Sequence, residues 1–539
     1  MDYALPVIVV FHGAGLQANS PQAREMLDAA YGVCAWMLFP SGVTSWSGDD
    51  WHYWGIADLQ AALLAIPDWI ANVDWRGPTS SQEDLIVVGH SNGGQGAWYF
   101  STHFPDKVSG VAPVAAYTSI ENYVPYTMWQ FSDPSLSSVL SRSRSSYRHE
   151  LLLSNLAGIP IAQQHGSCDN NVPVYHARLM HELLDQIQWP SMYQELPGKP
   201  HWFEGVMTTQ YLRDFYHVMI NKTRKTLEDQ LPETFTITIP ASGDLGSKAK
   251  IQVDQLQSPD TNGKLKVSRA SGTHTWYITT WNIYRFHLSS EGPRIELPLF
   301  IVLDNTQIAF DVDPSQLLET WYLKDANGQW SVSHDSHWRT LDQRYGRQLG
   351  AMDAILHTRG PFTIRMCSPG IEHAALQVSR NLLQYFAADS QIVEGCLDDW
   401  ERSQPGSNTI TLAMGQDLPP ALLDSYPIRI ERDRLVIWKN HSVLARSVRR
   451  HEFSWEAGLG AVFLRPREDE ALELVIWGAD LAGLSQSLRL APTITGSGQP
   501  DYVVLSDHCR WQGIAGVYAA GHLDRSWQVS PASYHSQPI

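Results

Sequence analysis

Val87-Val88-Gly89-His90-Ser91-Asn92-Gly93-Gly94-Gln95-Gly96 joins two kinds of pattern. Before it, Asp84-Leu85-Ile86-Val87-Val88 is apolar and β-branched and reads as a buried strand. After it, Gln95-Gly96-Ala97-Trp98-Tyr99-Phe100 opens a helical pattern. Between them lies Gly-x-Ser-x-Gly, in which the serine sits on a strained strand-to-helix turn with its hydroxyl above the sheet. Glycine is required two residues either side because a Cβ there would collide with the neighbouring strand or helix.

Working outward, Pro6–Phe11 is a second buried strand and ends in His12-Gly13-Ala14-Gly15. An HG-x-G element in that place offers backbone N–H groups of Gly13 and Ala14 to an oxyanion, together with the N–H of Asn92, the residue after the serine. Downstream, Gly158–Gly166 is a strand that runs into Ser167-Cys168-Asp169-Asn170-Asn171-Val172-Pro173, which puts Asp169 on the following loop, before a helix over Val174–Leu184. Ser191–Leu196 is a last short strand, followed by Pro197-Gly198-Lys199-Pro200-His201-Trp202-Phe203. The order Ser91, Asp169, His201 differs from the order of the same three residue types in chymotrypsin and subtilisin.

Residues 5–220 resemble the α/β-hydrolase superfamily. The segments Gly89–Gly94, His165–Pro173 and Gly198–Phe203 are most similar to the catalytic domain of prolyl-oligopeptidase-type (S9) peptidases and to dienelactone-hydrolase-like esterases. The resemblance implies a mostly parallel sheet with helices on both faces and a Ser91–His201–Asp169 triad. It departs from the family in two ways. No propeller precedes the catalytic segment, and the strand leading to His12 begins near residue 6, where one or two antiparallel strands and any signal peptide are expected first. A truncated start is one reading of that departure, and it leaves both a cytoplasmic location and a secreted parent open.

The residue types set the chemistry. A serine hydroxyl is a weak nucleophile until an adjacent imidazole takes its proton, and a carboxylate must hold that imidazole in the right tautomer. For the acid, Asp169 competes with Glu195 and Asp185; for the base, His201 competes with His165, His176 and His181. The loop positions favour Asp169 and His201. His165 is expected to hydrogen-bond locally, and His90 to pack and position. No His/Cys/Asp set has metal-ligand spacing and neither nucleotide-binding glycine motif is present, so neither a metal nor a cofactor is expected.

Four tryptophans mark the early segment. Trp46, Trp51 and Trp54 lie in the loop Ser41–Gly55, at the sheet end where ligands bind, and read either as an aromatic wall of a substrate pocket or as a loop packing on itself. Trp69 belongs to a helix over Ala57–Ala71 and reads as core. Trp202, beside His201, is a further candidate for substrate contact. Residues 118–150 interrupt the pattern with Tyr123, Tyr126, Trp129 and Phe131, then a serine-rich stretch Ser135–Ser146 and a helix expected at Tyr147–Leu156. An insertion here reads as a lid carrying Tyr126 and Trp129, or as a surface excursion.

Composition bounds the rest. A chain of 539 residues with net charge −17 has material for about three domains and no basic stripe for nucleic acid. The five cysteines are scattered, and no apolar run reaches transmembrane length. Beyond a hydrolase unit over 1–225, strictly alternating runs such as Thr234–Ile239 and Ile283–Leu288 predict an antiparallel β-sandwich over 232–345, in which Trp276, Trp281 and Trp321 read either as exposed aromatics for a carbohydrate or partner or, as is more common, as sandwich core. From 346 to 539 a second α/β unit is expected, with strands at Gly350–Leu356, Phe362–Met366, Thr409–Ala413, Pro427–Ile430, Ala461–Leu464, Leu472–Trp477 and Tyr502–Leu505. Its helices are expected at Glu372–Phe386 and Asp480–Leu490. The functional expectation is a serine hydrolase acting on a peptide, as an S9-like peptidase, or on a small ester. A non-catalytic binding protein on a hydrolase scaffold is the alternative.

Overall fold

The structure is a computed structural model that describes residues 4–29, 32–45, 49–124, 132–221, 231–241, 243, 245–270, 274–290, 295–306, 308–396, 406–441, 447–491 and 495–536. Its first unit is built on six parallel strands: β1 (Ala4–Phe11), β2 (Trp36–Leu38), β3 (Thr79–His90), β4 (Val108–Val114), β5 (Ala162–Gly166) and β6 (Met192–Leu196). Their spatial order is β2-β1-β3-β4-β5-β6, so the direction of winding reverses between β1 and β3. Ligands in open α/β sheets bind beyond the carboxyl ends of the strands at such a reversal. His12 and Ser91 follow those two adjacent strands.

Alternation along the strands sorts the core. Val7, Val9, Phe11, Leu85 and Val87 face a layer that includes α2 (Tyr53–Asn72) and α3 (Asn92–His103). Ile8, Val10, Ile86 and Val88 face the opposite layer, with Met26 of α1 (Pro21–Ala29) and Leu212, Phe215 and Met219 of a C-terminal helix (Gln210–Asn221). Both faces are thus apolar, as the continuous β-branched runs require in a buried parallel sheet.

The insertion after β4 differs from expectation. Its serine-rich stretch forms a helix, Pro134–Ser143, with Asp133 accepting from the Ser135 amide at 2.8 Å as N-cap. Leu136, Val139 and Ser143 fall on one buried face at helical spacing, which the serine content masked in the sequence. The expected helix at Tyr147–Leu156 is instead a run of short 3-10 turns, Ser145–Tyr147, His149–Leu151 and Leu153–Leu156. Buried side chains at nearly every position, such as Leu152, Leu153 and Leu156, leave no polar face for a regular helix.

Next come two packed sheets. One has the order Ala309–Asp311, Phe300–Leu303, Thr275–Trp281, Gly263–Ala270, Thr234–Ile239; the other Trp330–Ser333, Trp321–Lys324, Ile283–Leu288, Ile251–Leu256. All pairs are antiparallel except Thr275–Trp281 with Phe300–Leu303, which run parallel. Trp276 and Trp321 are buried, as the core reading of these tryptophans has it, whereas Trp281 is 51% exposed.

The last unit carries an eight-stranded mixed sheet. Ser390–Glu394, Phe362–Met366, Thr409–Met414 and Leu472–Gly478 are parallel, and Gly460–Pro466, Tyr502–Leu505, Val517–Gly521 and Tyr534–His535 continue it antiparallel. The helix Glu372–Phe386 forms as expected, ending in left-handed Ala387. Gly350–Leu356 is not a strand: Met352–Leu356 is a 3-10 turn whose five side chains are all buried, so the apolar run signals burial rather than sheet pairing. A separate antiparallel sheet, Ile428–Glu431, Arg434–His441 and Ser447–Ser454, stands apart from the main one. Cys367 and Cys396 form a disulfide; Cys34, Cys168 and Cys509 are free.

The three cores are locked together. Trp54 of α2 stacks on Phe362 and packs on Phe386, and its indole N–H donates to the Leu356 carbonyl at 3.0 Å. His52 meets Thr495 at 2.6 Å, Thr495 donates to the Asp49 carbonyl at 2.8 Å, and Tyr147 donates to Asp353 at 2.8 Å. The buried Asp106 carboxylate accepts from Ser247 and from the amides of Ala249 and Lys250, tying the sheet to the β-sandwich.

Candidate active site

Ser91 occupies the turn from β3 into α3 with φ 59° and ψ −120°, a conformation that costs a non-glycine residue about 1–3 kcal/mol. The glycines around it permit that turn. A Cβ on Gly89 would lie 2.1 Å from the Gly93 carbonyl oxygen, and one on Gly93 would lie 2.1 Å from that of Phe11. Gly94 closes against Ala116, and Gly96 against the buried ring of Trp51. The serine amide donates to the Val114 carbonyl at 2.9 Å, which pins the turn to β4.

The loop after β1 reaches the same place. A Cβ on Gly13 would stand 3.5 Å from that of Ser91, so the backbone of the oxyanion element passes directly beside the serine. His12 holds this loop, with Nε2 at 2.8 Å from the Ser41 carbonyl and its own carbonyl accepting from the Trp51 indole at 3.2 Å. Among the described residues no acceptor is bonded to the amides of Gly13, Ala14 or Asn92.

Asp169 follows β5, and His201 follows β6. Asp169 Oδ2 lies 2.7 Å from His201 Nδ1, while Oδ1 accepts from the amides of Asn171 and Val172, each at 2.9 Å. Burial alone would raise this carboxyl, but hydrogen bonds from His165 and His201 hold it well below the usual carboxylate range. It is therefore an anion at every pH near neutral. The two loops are laced by backbone: Cys168 N donates to the Lys199 carbonyl at 3.0 Å and Ser167 N to that of Leu196 at 2.9 Å. Gly166 is needed because a Cβ there would meet the Lys199 oxygen at 2.4 Å. His90 Nε2 stands 2.8 Å from the His201 carbonyl, and the two rings are 4.7 Å apart, which fixes the histidine loop to the residue preceding the serine.

With this geometry in place, the first unit can be identified by its architecture. It has the α/β-hydrolase fold. The order of sheet, serine turn, acid loop and histidine loop is that of an α/β-hydrolase throughout residues 4–221. No family model matches the chain. A protein of Arthroderma benhamiae, named an uncharacterized secreted protein, is 45% identical over 535 residues, covering 99% of this chain and 56% of that protein. The chain thus spans about half the length of that relative. Among solved structures, similar ones include an S-formylglutathione hydrolase from Agrobacterium tumefaciens (14% identity, 41% of this chain and 86% of that one, TM-score 0.32). A puromycin-hydrolyzing peptidase of Mycobacterium tuberculosis matches at 15% identity over 41% of this chain and 35% of that one, with TM-score 0.30. Esterase PE8 matches at 12% identity over 40% of this chain and 92% of that one, with TM-score 0.27.

The hydrolase unit disperses the expected aromatic wall. Trp51 is fully buried against Phe11 and His12 and is core, a correction to its reading as a substrate contact. Trp54 is committed to Phe362 and Phe386 in the last unit, which removes it from the wall as well. Trp46, Tyr126 and Trp129 lie outside the described residues. Trp202 alone stands at the site, 41% exposed, with its ring 5.4 Å from that of His90.

The structure gives His165 the local hydrogen bonds expected of it and adds Asp50, which the sequence did not single out. His165 Nε2 is 3.1 Å from Asp169 Oδ2 and 2.9 Å from the Val172 carbonyl, so this fully buried ring shares the acid with His201. Asp50 accepts from Tyr117 Oη at 2.6 Å and from the Asn92 side-chain amide, beside the serine. Burial pushes Asp50 up to about 7, opposed by the Tyr117 hydrogen bond. Asp50 and Trp51 both take positive φ, 56° and 61°, so three left-handed non-glycine residues cluster here with Ser91. Tyr123 stacks on Tyr117 and donates to Asn171 at 2.7 Å, bridging the insertion to the acid loop. The Asp-Asp pair inside the tryptophan-rich loop was the only available signal for this cluster. His176 and His181 lie away from the acid: His176 faces Thr118, and His181 meets Ser191 at 2.9 Å. Glu195 is paired with Arg178 at 2.6 Å.

Proposed function

We propose that this chain is a serine hydrolase that transfers an acyl group to water through Ser91, His201 and Asp169. The observation that carries the reading is the 2.7 Å contact between Asp169 and His201 Nδ1, made by two loops laced to each other and tied to the serine turn. With Nδ1–H donating to the carboxylate, His201 Nε2 is the free base. It takes the proton of Ser91 as Oγ attacks the acyl carbon, and returns it to the leaving group as that bond breaks. Water then repeats the exchange on the acyl-enzyme. The amides of Ala14 (or Gly13) and Asn92 receive the oxyanion, each donor lowering the barrier by about 2.7–4 kcal/mol.

The substrate reading shifts with the aromatic residues. A proline pocket would want an aromatic floor, which Trp46, Trp51 and Trp202 could supply, and so would a pocket for an aromatic ester. With Trp51 in the core, the half-exposed indole of Trp202 is the one described member beside the triad. That single face suits an acyl or aryl ester, and we take a carboxylic-ester hydrolase as the reading to test first, with the S9-like peptidase second. We also infer that the protein is secreted: the fungal relative is so named, and the Cys367–Cys396 disulfide belongs in an oxidising compartment.

A fluorophosphonate probe tests the hydrolase reading. Folded wild-type protein is expected to label covalently and Ser91→Ala not to label; absence of labelling on folded wild type overturns the proposal in favour of a binding protein on a hydrolase scaffold. Nitrophenyl esters assayed beside a proline-anilide peptide then divide the two substrate classes.

A further inference from the structure

A cavity of about 700 Å³ lies between the insertion helix Pro134–Ser143 and the last unit, outside the triad. That is the size of a small-molecule site rather than a packing defect. Its apolar wall comes from Leu136 and Leu140 on the insertion and from Val503, Leu505, Ile514 and Val517 on the last unit. Its polar groups are few and placed. Gln486 donates to the Ser506 carbonyl at 2.7 Å, and its own carbonyl oxygen is buried with no partner among the described residues. The Gln499 side-chain oxygen is buried in the same state. Arg144 is paired with Glu121 at 3.0 Å, whereas Arg489 is exposed and makes no ion pair among the described residues. One carboxylate against two guanidinium groups leaves a positive charge uncompensated beside an apolar wall.

We propose that this cavity binds a single-chain amphipathic carboxylate, its alkyl body against the apolar wall and its head group on Arg489. A guanidinium is the side chain best shaped for a carboxylate, and its attraction is stronger next to apolar surface than in open water. The unpartnered oxygens of Gln486 and Gln499 mark a wetted cavity rather than a sealed apolar core, because buried acceptors normally find a donor; a carboxylate brings them none, so its head group is held by Arg489 and not by the glutamines. Glu121 connects the cavity to the catalytic unit: it lies on the short helix Ile120–Tyr123, whose Tyr123 donates to Asn171 in the acid loop. The site is separate from Ser91 and does not depend on the hydrolase reading.

The test uses the whole chain and cis-parinarate, a fluorescent polyene carboxylate, displaced by dodecanoate, dodecanol or dodecylamine. Dodecanoate is expected to displace the probe at the lowest concentration and dodecylamine at the highest. Arg489→Glu is expected to weaken dodecanoate by about tenfold and leave dodecanol unchanged. Ile514→Trp, which fills the cavity from a half-buried position, is expected to weaken both. Binding is expected to persist in Ser91→Ala. As a check that needs no variant, dodecanoate is expected to slow alkylation of Cys509, which lines the cavity and whose thiol is pushed up by burial. Equal displacement by amine and carboxylate, an unchanged dodecanoate affinity in Arg489→Glu, or loss of binding in Ser91→Ala would each overturn the proposal.

Discussion

His165 and His201 share one oxygen of the same carboxylate, Asp169 Oδ2, at 3.1 and 2.7 Å. The two rings are not equivalent. His165 is sealed in the core and spends Nε2–H on both the acid and the Val172 carbonyl, while His201 meets the acid through Nδ1, which leaves Nε2 for the base role proposed above. His201→Ala is therefore expected to lower kcat by about 10⁴ to 10⁶ with little change in melting temperature. His165→Phe is expected to cost about 1–3 kcal/mol of stability and far less of kcat. Turnover and thermal melts on both variants check this; a His165 variant as inactive as the His201 variant at unchanged stability would exchange their roles.

Asp50 gives a pH dependence with a defined sign. Burial raises its carboxyl in the folded protein to about 7, well above the ordinary carboxylate range. The native state thus keeps a proton that the unfolded chain has released, and the contribution of Asp50 to stability falls as pH rises from about 4 to about 7, opposed by buried histidines such as His90 and His103, which burial pushes down to about 4. Asp49 and Asp353, each pushed up to about 6 by burial, slope the same way. Asp50→Asn is expected to remove this falling contribution, so that the variant gains stability relative to wild type as pH rises through that window. Denaturant melts at a series of pH values read the slope directly; an unchanged slope would show that Asp50 is ionised in the fold.

Trp202 is exposed enough to be replaced without structural cost. Trp202→Ala is expected to change stability by less than about 0.5 kcal/mol. It is expected to lower kcat/KM for bulky or aromatic acyl groups more than for acetyl esters. Equal losses across an acyl series would remove the indole from substrate contact.

Gly93 tolerates no side chain. An added methyl would stand 2.1 Å from the Phe11 carbonyl oxygen, where backbone rather than a movable side chain must give way. Gly93→Ala is expected to destabilise the chain by more than about 3 kcal/mol or to prevent folding. Expression and melting temperature of the variant decide it.

Local pattern carried much of the hydrolase unit. The β-branched runs around Val9 and Val87 declared strands buried on both faces, and loops after strands placed Ser91, Asp169 and His201 at one sheet end before any contact was known. What local pattern could not carry was tertiary choice. Trp51 and Trp54 are equally aromatic in the sequence, yet one underlies the serine turn and the other faces a helix more than three hundred residues away. Met352–Leu356 is as apolar as a strand because it is buried, not because it pairs. The sharing of Asp169 by His165 also depends on a loop geometry that spacing alone does not specify.

The contact between His52 and Thr495 spans most of the polypeptide. During synthesis, everything from the first strand through the histidine loop leaves the ribosome long before its partner exists. Through that interval the face carrying Trp54, His52 and Tyr147 has no cover. Vectorial synthesis therefore imposes a waiting state on the hydrolase-fold unit, in which its six described strands are made but one flank is greasy and bare. Excising that unit as a minimal enzyme would make this waiting state permanent. A shortened protein of this kind should require replacement of the Trp54 face by polar residues before it stays in solution.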